Sequence, residues 1–260
     1  MKALLKSLML VSLSAFLFLY GCDKNTTSPE EEEDVLTSTE KMVVIATEMA
    51  EPTGGVTSDF NTAYQAANGD VGMLYKPASF DTTISLDWIT YQLSLDFYTK
   101  SGIQQPRYIP QLTDSLIYNG KATGHTTTTV PQKDLTLNRT STFKIGNILS
   151  NVISLNGSAK NNSNYTISSE GALYQIVPQS SFDFRNLKIN LSSGSYIPYT
   201  GKILATIKGH ITKTGVGDDK DEDYQFDVTL EFAGDDWVIV TLPNGIKFKL
   251  NLRTGQFSRV

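Results

Sequence analysis

The sequence predicts a mainly β fold of the α+β kind: a large antiparallel sheet, curved or closed into a partly open barrel, with two short N-terminal helices packed on it. Three observations predict this fold. From about residue 72 onward, apolar and polar residues alternate over most of the chain, which is the period of a half-buried strand. Turn residues separate the alternating segments at short intervals. Two earlier segments instead have the apolar spacing of helices.

The first helix is predicted near residues 38–51. Thr37 and Glu40 have the spacing of a capping box, in which each residue satisfies a backbone N–H of the other. Apolar residues then recur three and four positions apart, at Met42, Ile45, Ala46 and Met49. The Gly54-Gly55 pair ends the segment.

A second helix is predicted near residues 58–68. Its apolar stripe consists of Phe60, Ala63, Tyr64 and Ala67. Asn68-Gly69 provides the stop, because glycine readily adopts the left-handed conformation that closes a helix. Each helix has one apolar face, so both are expected to pack on the sheet.

The first strand region contains a change of phase. Apolar residues occupy even positions up to Trp88 and odd positions from Ile89 onward. A one-residue insertion has this effect, so we expect one long strand with a bulge at this point. Two separate strands are the alternative.

The C-terminal third has the clearest strand pattern. Alternating segments end at Leu191, Ile211, Phe232 and Leu252, and the Asn244-Gly245 pair is a strong hairpin signal. Connections this short require antiparallel pairing. One face of each strand is polar, so a sheet of eight or more strands must curl or split to bury the other face. A two-sheet sandwich is the alternative to the curved sheet.

Residues 100–181 give a weaker pattern. Pro106, Pro110, Pro131 and the threonine run at 126–129 favour short strands joined by longer loops.

Composition excludes several classes of function. The chain has 22 Lys+Arg against 27 Asp+Glu, a formal net charge of −5, so it has no basic footprint for nucleic acid. Its single cysteine rules out a disulfide framework, and one cysteine with two histidines does not supply a Cys/His zinc site. We predict no cofactor.

The first 21 residues have the zones of a secretory signal peptide. Lys2 and Lys6 precede an apolar run, Leu8 to Tyr20, which is short for a membrane span and ends at the small residue Gly21. The only cysteine of the chain, Cys22, follows at once.

Leu19-Tyr20-Gly21-Cys22 resembles the lipobox of bacterial lipoprotein precursors. The resemblance implies cleavage between Gly21 and Cys22, a thioether from Cys22 to diacylglycerol, and a fatty acyl group such as palmitate on the new amino terminus. The implied partner is membrane lipid. The implied location is the bacterial cell envelope, with the outer membrane favoured over the inner.

Residues 22–34 are expected to form a lipidated cysteine and a flexible tether, because this stretch is polar and ends in five consecutive acidic residues. Residues 35–260 are then a single β-rich domain with 19 Lys+Arg and 21 Asp+Glu.

Catalytic signals are weak throughout this domain. Motifs for an activated serine or a phosphate-binding loop are absent from the sequence. His125 and His210 are the candidate imidazole bases, and Asp87 with Asp96 is the candidate carboxylate pair of a glycosidase. We assign no catalytic residue.

Asp219, Asp221 and Asp223 have the alternating spacing of a calcium loop. An EF-hand would also need glycine at Tyr224 and glutamate at Leu230, so that site is excluded. We predict no metal site, with an irregular calcium site at the three aspartates as the weak alternative.

The leading functional hypothesis is a lipid-anchored lipoprotein whose β domain binds a ligand or has a structural role without catalysis. The 12 Tyr, 12 Phe and two Trp supply either a core or the surface for an apolar or glycan ligand. One alternative is an amphiphile carrier with a hollow sheet, which resembles lipoprotein-localisation half-barrels in architecture alone. A carbohydrate-active enzyme is the other alternative.

Overall fold

The computed structural model describes residues 35–69, 80–129, 132–169, 171–215 and 219–260. The predicted signal peptide, Gly21, Cys22 and the acidic tether lie outside the described residues. Val35–Val260 form a compact unit of their own.

The described residues of this unit contain two α-helices and thirteen strands. The helices are α1 (Ser38–Met49) and α2 (Thr57–Asn68). The strands are β1 (Phe80–Leu86), β2 (Ile89–Thr99), β3 (Gln104–Gln105), β4 (Thr113–Thr129), β5 (Gln132–Gly146), β6 (Val152–Asn162), β7 (Asn164–Ser169), β8 (Ala172–Asn190), β9 (Thr200–Gly215), β10 (Lys220–Phe232), β11 (Trp237–Thr241), β12 (Lys247–Asn251) and β13 (Phe257–Arg259).

All thirteen strands belong to one antiparallel sheet. Its order is β1-β2-β4-β5-β6-β8-β9-β10-β11-β12-β13, with β3 paired to β2 and β7 lying between β5 and β8. β6 and β7 occupy the same position in the sheet, interrupted at Ser163. The predicted fold class is therefore confirmed, and the strands form one sheet rather than the two of a sandwich.

The sheet curves around the helices, as the contacts of one aromatic residue show. The ring centroid of Phe60 in α2 lies 6.3 Å from that of Phe143 in β5, 5.7 Å from that of Phe184 in β8 and 6.2 Å from that of Phe232 in β10. β5 and β10 are four positions apart, which is about 19 Å across a flat sheet. Only a concave face brings both rings to one side chain.

α1 begins with the predicted capping box. The Thr37 N–H donates to Glu40 Oε2 at 3.0 Å, and the Glu40 N–H donates to Thr37 Oγ1 at 3.2 Å. The helix is buried on most of its circumference, charged residues such as Lys41 and Glu48 included. A helix on the outside of a sheet would expose half of its surface, so α1 lies within the concave side.

The strands alternate between a buried inner face and a polar outer face. β5 shows the pattern clearly: the residues at odd positions, Leu135, Leu137, Arg139, Ser141, Phe143 and Ile145, are buried, and the residues between them are exposed. Within the described ranges, no helix is long and apolar enough to span a bilayer.

Two expectations about the strands are wrong. A bulge was expected at Trp88-Ile89, but β1 and β2 form a hairpin in which Leu86 pairs with Ile89. Asp87, with φ of 54°, makes this tight turn because aspartate tolerates the left-handed region. Residues 100–181 were expected to form short strands, yet they contain four strands of 11 to 19 residues.

Pro178 shows how a long strand accommodates proline. Ser163, at the break between β6 and β7, donates its N–H to the Pro178 carbonyl at 3.3 Å. In a strand, the N–H and C=O of one residue point to the same neighbour, so the missing N–H of Pro178 faces this break. The proline therefore costs the sheet little pairing.

Candidate functional site

The predicted acidic cluster lies on the outer face, near the connection from β9 to β10. His210 of β9 is held between two of its aspartates: Nδ1 is 2.8 Å from Asp223 Oδ1, and Nε2 is 2.8 Å from Asp221 Oδ1. Asp219 accepts from the Gly215 N–H at 3.2 Å. The hairpin register places His210 directly opposite Asp223, so the contact follows from strand pairing.

The cluster holds a protonated imidazole better than it holds a metal ion. The hydrogen bonds that His210 donates to Asp223 and to Asp221 raise the pKa of His210, and the bond from His210 lowers the pKa of Asp221. Among the residues that the structure describes, no group of three or more His, Cys, Asp or Glu side chains is arranged to hold a metal ion. Both ring nitrogens are occupied, which leaves neither free to act as a base.

The other candidate catalytic residues lie apart from one another. His125 makes an exposed contact of 2.9 Å with Asp134 across the β4–β5 hairpin. Asp87 lies in the β1–β2 turn, whereas Asp96 lies well along β2, where it accepts from Gln104 at 3.4 Å. Seven strand residues separate Asp96 from the start of β2, or about 23 Å. This distance is too long for a pair of glycosidase carboxylates.

Sequence reasoning missed a buried ion pair between α2 and the sheet. Asp59 accepts two hydrogen bonds from Arg139 of β5, from Nε to Oδ2 at 2.8 Å and from Nη2 to Oδ1 at 2.6 Å. Arg139 Nη1 also donates to the Gly54 carbonyl at 2.6 Å, and Ser141 Oγ donates to Asp59. Burial lowers the pKa of Arg139, but the charge and hydrogen bonds of Asp59 more than offset this and raise it overall.

A signal for this pair was present in the sequence. Arg139 falls in phase with Leu135, Leu137 and Phe143, so strand alternation places it on the buried face. A buried arginine requires an anionic partner. The pattern does not identify that partner, because Asp59 lies 80 residues away.

A second buried polar cluster joins α1 to β6. Asn161 Nδ2 donates to both carboxylate oxygens of Glu48, at 2.9 and 3.0 Å, and is 3.1 Å from Tyr165 Oη. Burial raises the pKa of Glu48, whose side chain is not exposed to solvent. The hydroxyls of Ser180 and Tyr224 are also buried.

These two clusters fasten the helices inside the sheet. Arg139 is fully buried and Asp59 is 1% exposed, and Glu48 is equally enclosed. No ligand could reach either cluster without displacing α1 or α2. Their arrangement is that of a structural core rather than of an accessible active site.

Two open depressions lie along the strands of the described sheet. One has a volume of about 600 Å³ and is lined by residues such as Gln92, Asn119 and Thr142. The other has a volume of about 570 Å³ and includes Asp183 and Asp227. Both are open, so they suit an extended partner better than an enclosed small molecule.

Comparisons with protein-family models, with curated proteins and with solved structures found no match.

Proposed function

We propose that this chain is a lipid-anchored lipoprotein of the bacterial cell envelope whose β domain binds a partner or has a structural role without catalysis. The proposal combines the lipobox-like sequence ending in Cys22 with the way the domain fills its own interior. The anchor would be membrane lipid attached through acylated Cys22, with the outer membrane as the favoured location.

The filled concave face is the observation that supports a binding or structural role for the β domain. Phe60 occupies the centre of the curved sheet, in contact with rings from β5, β8 and β10. α1 and α2 cover the apolar residues that a carrier would offer to an acyl chain. Binding therefore uses the outer surface or the loops, and an apolar ligand inside the sheet would have to displace the helices.

The polar outer face supports this proposal. It presents exposed threonine, lysine and asparagine side chains on adjoining strands, for example Lys121, Thr140 and Lys160. Among the described residues, both histidines are held by aspartates, and the candidate carboxylates Asp87 and Asp96 lie far apart, one in the β1–β2 turn and the other well along β2. A glycan or protein surface is the class of ligand that such a face suits.

The anchor is tested by metabolic labelling with a palmitate analogue in the source bacterium or a lipoprotein-processing host. The native chain should incorporate label and fractionate with membranes, and Cys22→Ala should lose both the label and the processing. Ser28→Ala, in the same tether, is the matched control and should behave as the native chain does. Normal membrane attachment of Cys22→Ala would overturn the anchor.

The domain is tested separately by native mass spectrometry of residues 35–260. The filled interior predicts a single mass with no bound lipid. A co-purifying acyl lipid would contradict the proposal and revive the carrier. This outcome does not depend on whether Cys22 is lipidated. The lipid anchor and the role of the β domain are therefore tested independently.

A further inference from the structure

Exposed apolar side chains are concentrated at one end of the sheet. Antiparallel strands place alternate connections at the same end, so the β2–β4, β5–β6, β8–β9, β10–β11 and β12–β13 connections all lie at this end. We call the first three of these connections the loop end, with residues 99–113, 147–151 and 191–199. Four of the six exposed large apolar residues described belong to it: Ile103 at 66%, Leu112 at 54%, Leu149 at 47% and Tyr199 at 43% exposure.

The loop end is also basic. Lys100 and Arg107 lie in the first connection, and Lys144, Lys188 and Lys202 lie on the adjoining ends of β5, β8 and β9. All five are exposed. Asp114 is the one acidic residue within 99–114, 144–152 and 188–202. The neighbouring β10–β11 connection at the same end carries Asp235 and Asp236, and Glu231 of β10 lies opposite Lys202 in the sheet.

These cations are available to an external partner. None of the five forms an ion pair in the described part of the chain, whereas Arg253 in the β12–β13 connection is already paired with Asp236.

The opposite end of the sheet is acidic at the start of β10. Asp219 precedes this strand, and Asp221, Glu222 and Asp223 lie among its first residues. Val35 lies at this acidic end, where Lys220 Nζ donates to its carbonyl at 2.9 Å. The exposed apolar side chains of the loop end are thus remote from this acidic cluster.

We propose that the loop end is a peripheral docking surface for an anionic lipid bilayer, separate from any anchor at Cys22. Its apolar side chains are spread over three connections rather than lining a groove. This arrangement suits shallow insertion among headgroups better than the binding of a peptide or helix. Tyr199 fits the same setting, because tyrosine favours the boundary between water and hydrocarbon. The unpaired lysines and arginine supply the attraction to anionic headgroups.

The test is sedimentation of residues 35–260, a compact unit without Cys22, with vesicles of phosphatidylglycerol and phosphatidylcholine in equal parts. The domain should bind these vesicles, bind phosphatidylcholine vesicles far more weakly, and dissociate as salt is raised. Lys144→Gln/Lys188→Gln/Lys202→Gln should weaken binding by roughly tenfold or more. The apolar variant Ile103→Ser/Leu112→Ser/Leu149→Ser should weaken it by a similar factor.

Matched controls come from exposed residues elsewhere on the outer face. Lys160→Gln/Lys208→Gln/Lys247→Gln removes the same charge, and Val177→Ser removes an apolar side chain that is 37% exposed near the other end of β8. Both should bind as the native domain does. Circular dichroism and melting temperature check that each variant is folded.

Absence of binding to the anionic vesicles would overturn the proposal, as would equal losses in the loop-end and control variants. Binding that depends on the lysines but not on the apolar residues would also contradict it, since that result describes a polyanion site instead of bilayer insertion.

Discussion

Asp59 of α2 and Arg139 of β5 form a bidentate ion pair in which neither side chain is more than 1% exposed. The pair fixes one end of the helical hairpin against the middle of the sheet. The carbonyl of Gly54 accepts a further hydrogen bond from the same guanidinium, so the turn between the helices is fixed as well. One charged side chain thus orients α2 and the turn that precedes it.

Removing one member of this pair is predicted to be strongly destabilising. Asp59→Ala leaves the Arg139 charge buried and unpaired, which costs about 3–5 kcal/mol of unfolding free energy. Urea unfolding of residues 35–260 measures the loss. Asp183→Ala is the matched control, because Asp183 and Arg185 form an exposed pair at 2.7 Å. That substitution should cost less than about 1 kcal/mol.

The double variant Asp59→Leu/Arg139→Met should be closer to the native stability than Asp59→Ala is. It removes both charges and restores apolar volume, so no ion remains unpaired. If the single and double variants were equally unstable, the loss would come from packing rather than from the unpaired charge.

Glu48 is predicted to make the domain less stable as pH rises. Burial raises its pKa in the folded state above the ordinary value of 4.5, so the folded protein binds the proton more tightly than the unfolded chain. Its contribution to stability is present in full below pH 4.5 and is lost as pH rises through the folded pKa.

Glu48→Gln imitates the protonated acid and should remove this part of the pH dependence. The variant should be at least as stable as the native domain above the folded pKa. Unfolding free energies measured across the acidic to neutral range test this, with the exposed Glu222→Gln as control. If Glu48→Gln kept the native dependence of unfolding free energy on pH, another group would be responsible for that dependence.

Local patterns predicted the features that depend on neighbouring residues. The capping box at Thr37 and Glu40 forms as expected, and Gly245 has φ of 80° in the turn between β11 and β12. The alternation of β10 likewise places Phe226 and Leu230 on the buried face. Each of these depends on interactions within one helix, strand or hairpin, which is why the sequence is sufficient to predict them.

Features that depend on distant pairing were not predicted. Thr126 to Thr129 resembles a loop in isolation, yet these residues continue β4 because Gln132 to Leu135 pair with them. Asn161 looks like an exposed amide in a polar stretch, but a helix 113 residues away supplies Glu48 as its partner. Long-range contacts of this kind depend on how the whole sheet pairs and curves around the helices.

Gly55 is predicted to be essential for the turn between the helices. A Cβ atom at this position would lie 2.6 Å from Ala50 N and 2.7 Å from Ala50 O, atoms of the backbone that cannot rotate away. Gly55→Ala should therefore destabilise the domain by about 1–3 kcal/mol, as overpacking does. Denaturant unfolding of residues 35–260 measures it.

Gly146→Ala is the control for Gly55, because its added Cβ would meet only the Ser154 hydroxyl, at 3.3 Å, and a hydroxyl can rotate. It should change stability much less. Equal effects at the two positions would mean that glycine is needed for chain flexibility and not for close approach.

His210 is predicted to titrate above the ordinary imidazole value of 6.5, because Asp223 and Asp221 accept hydrogen bonds from its two nitrogens. A raised folded pKa means that its stabilising contribution is complete below pH 6.5 and disappears as pH rises through the folded value.

Proton NMR titration measures the pKa of His210 directly, and His125→Gln assigns the signal. Asp223→Asn should lower the pKa of His210, whereas Asp227→Asn should leave it unchanged, because Asp227 bonds to Thr206 instead. A native His210 pKa at or below 6.5 would show that the two aspartates do not hold the imidazole in solution.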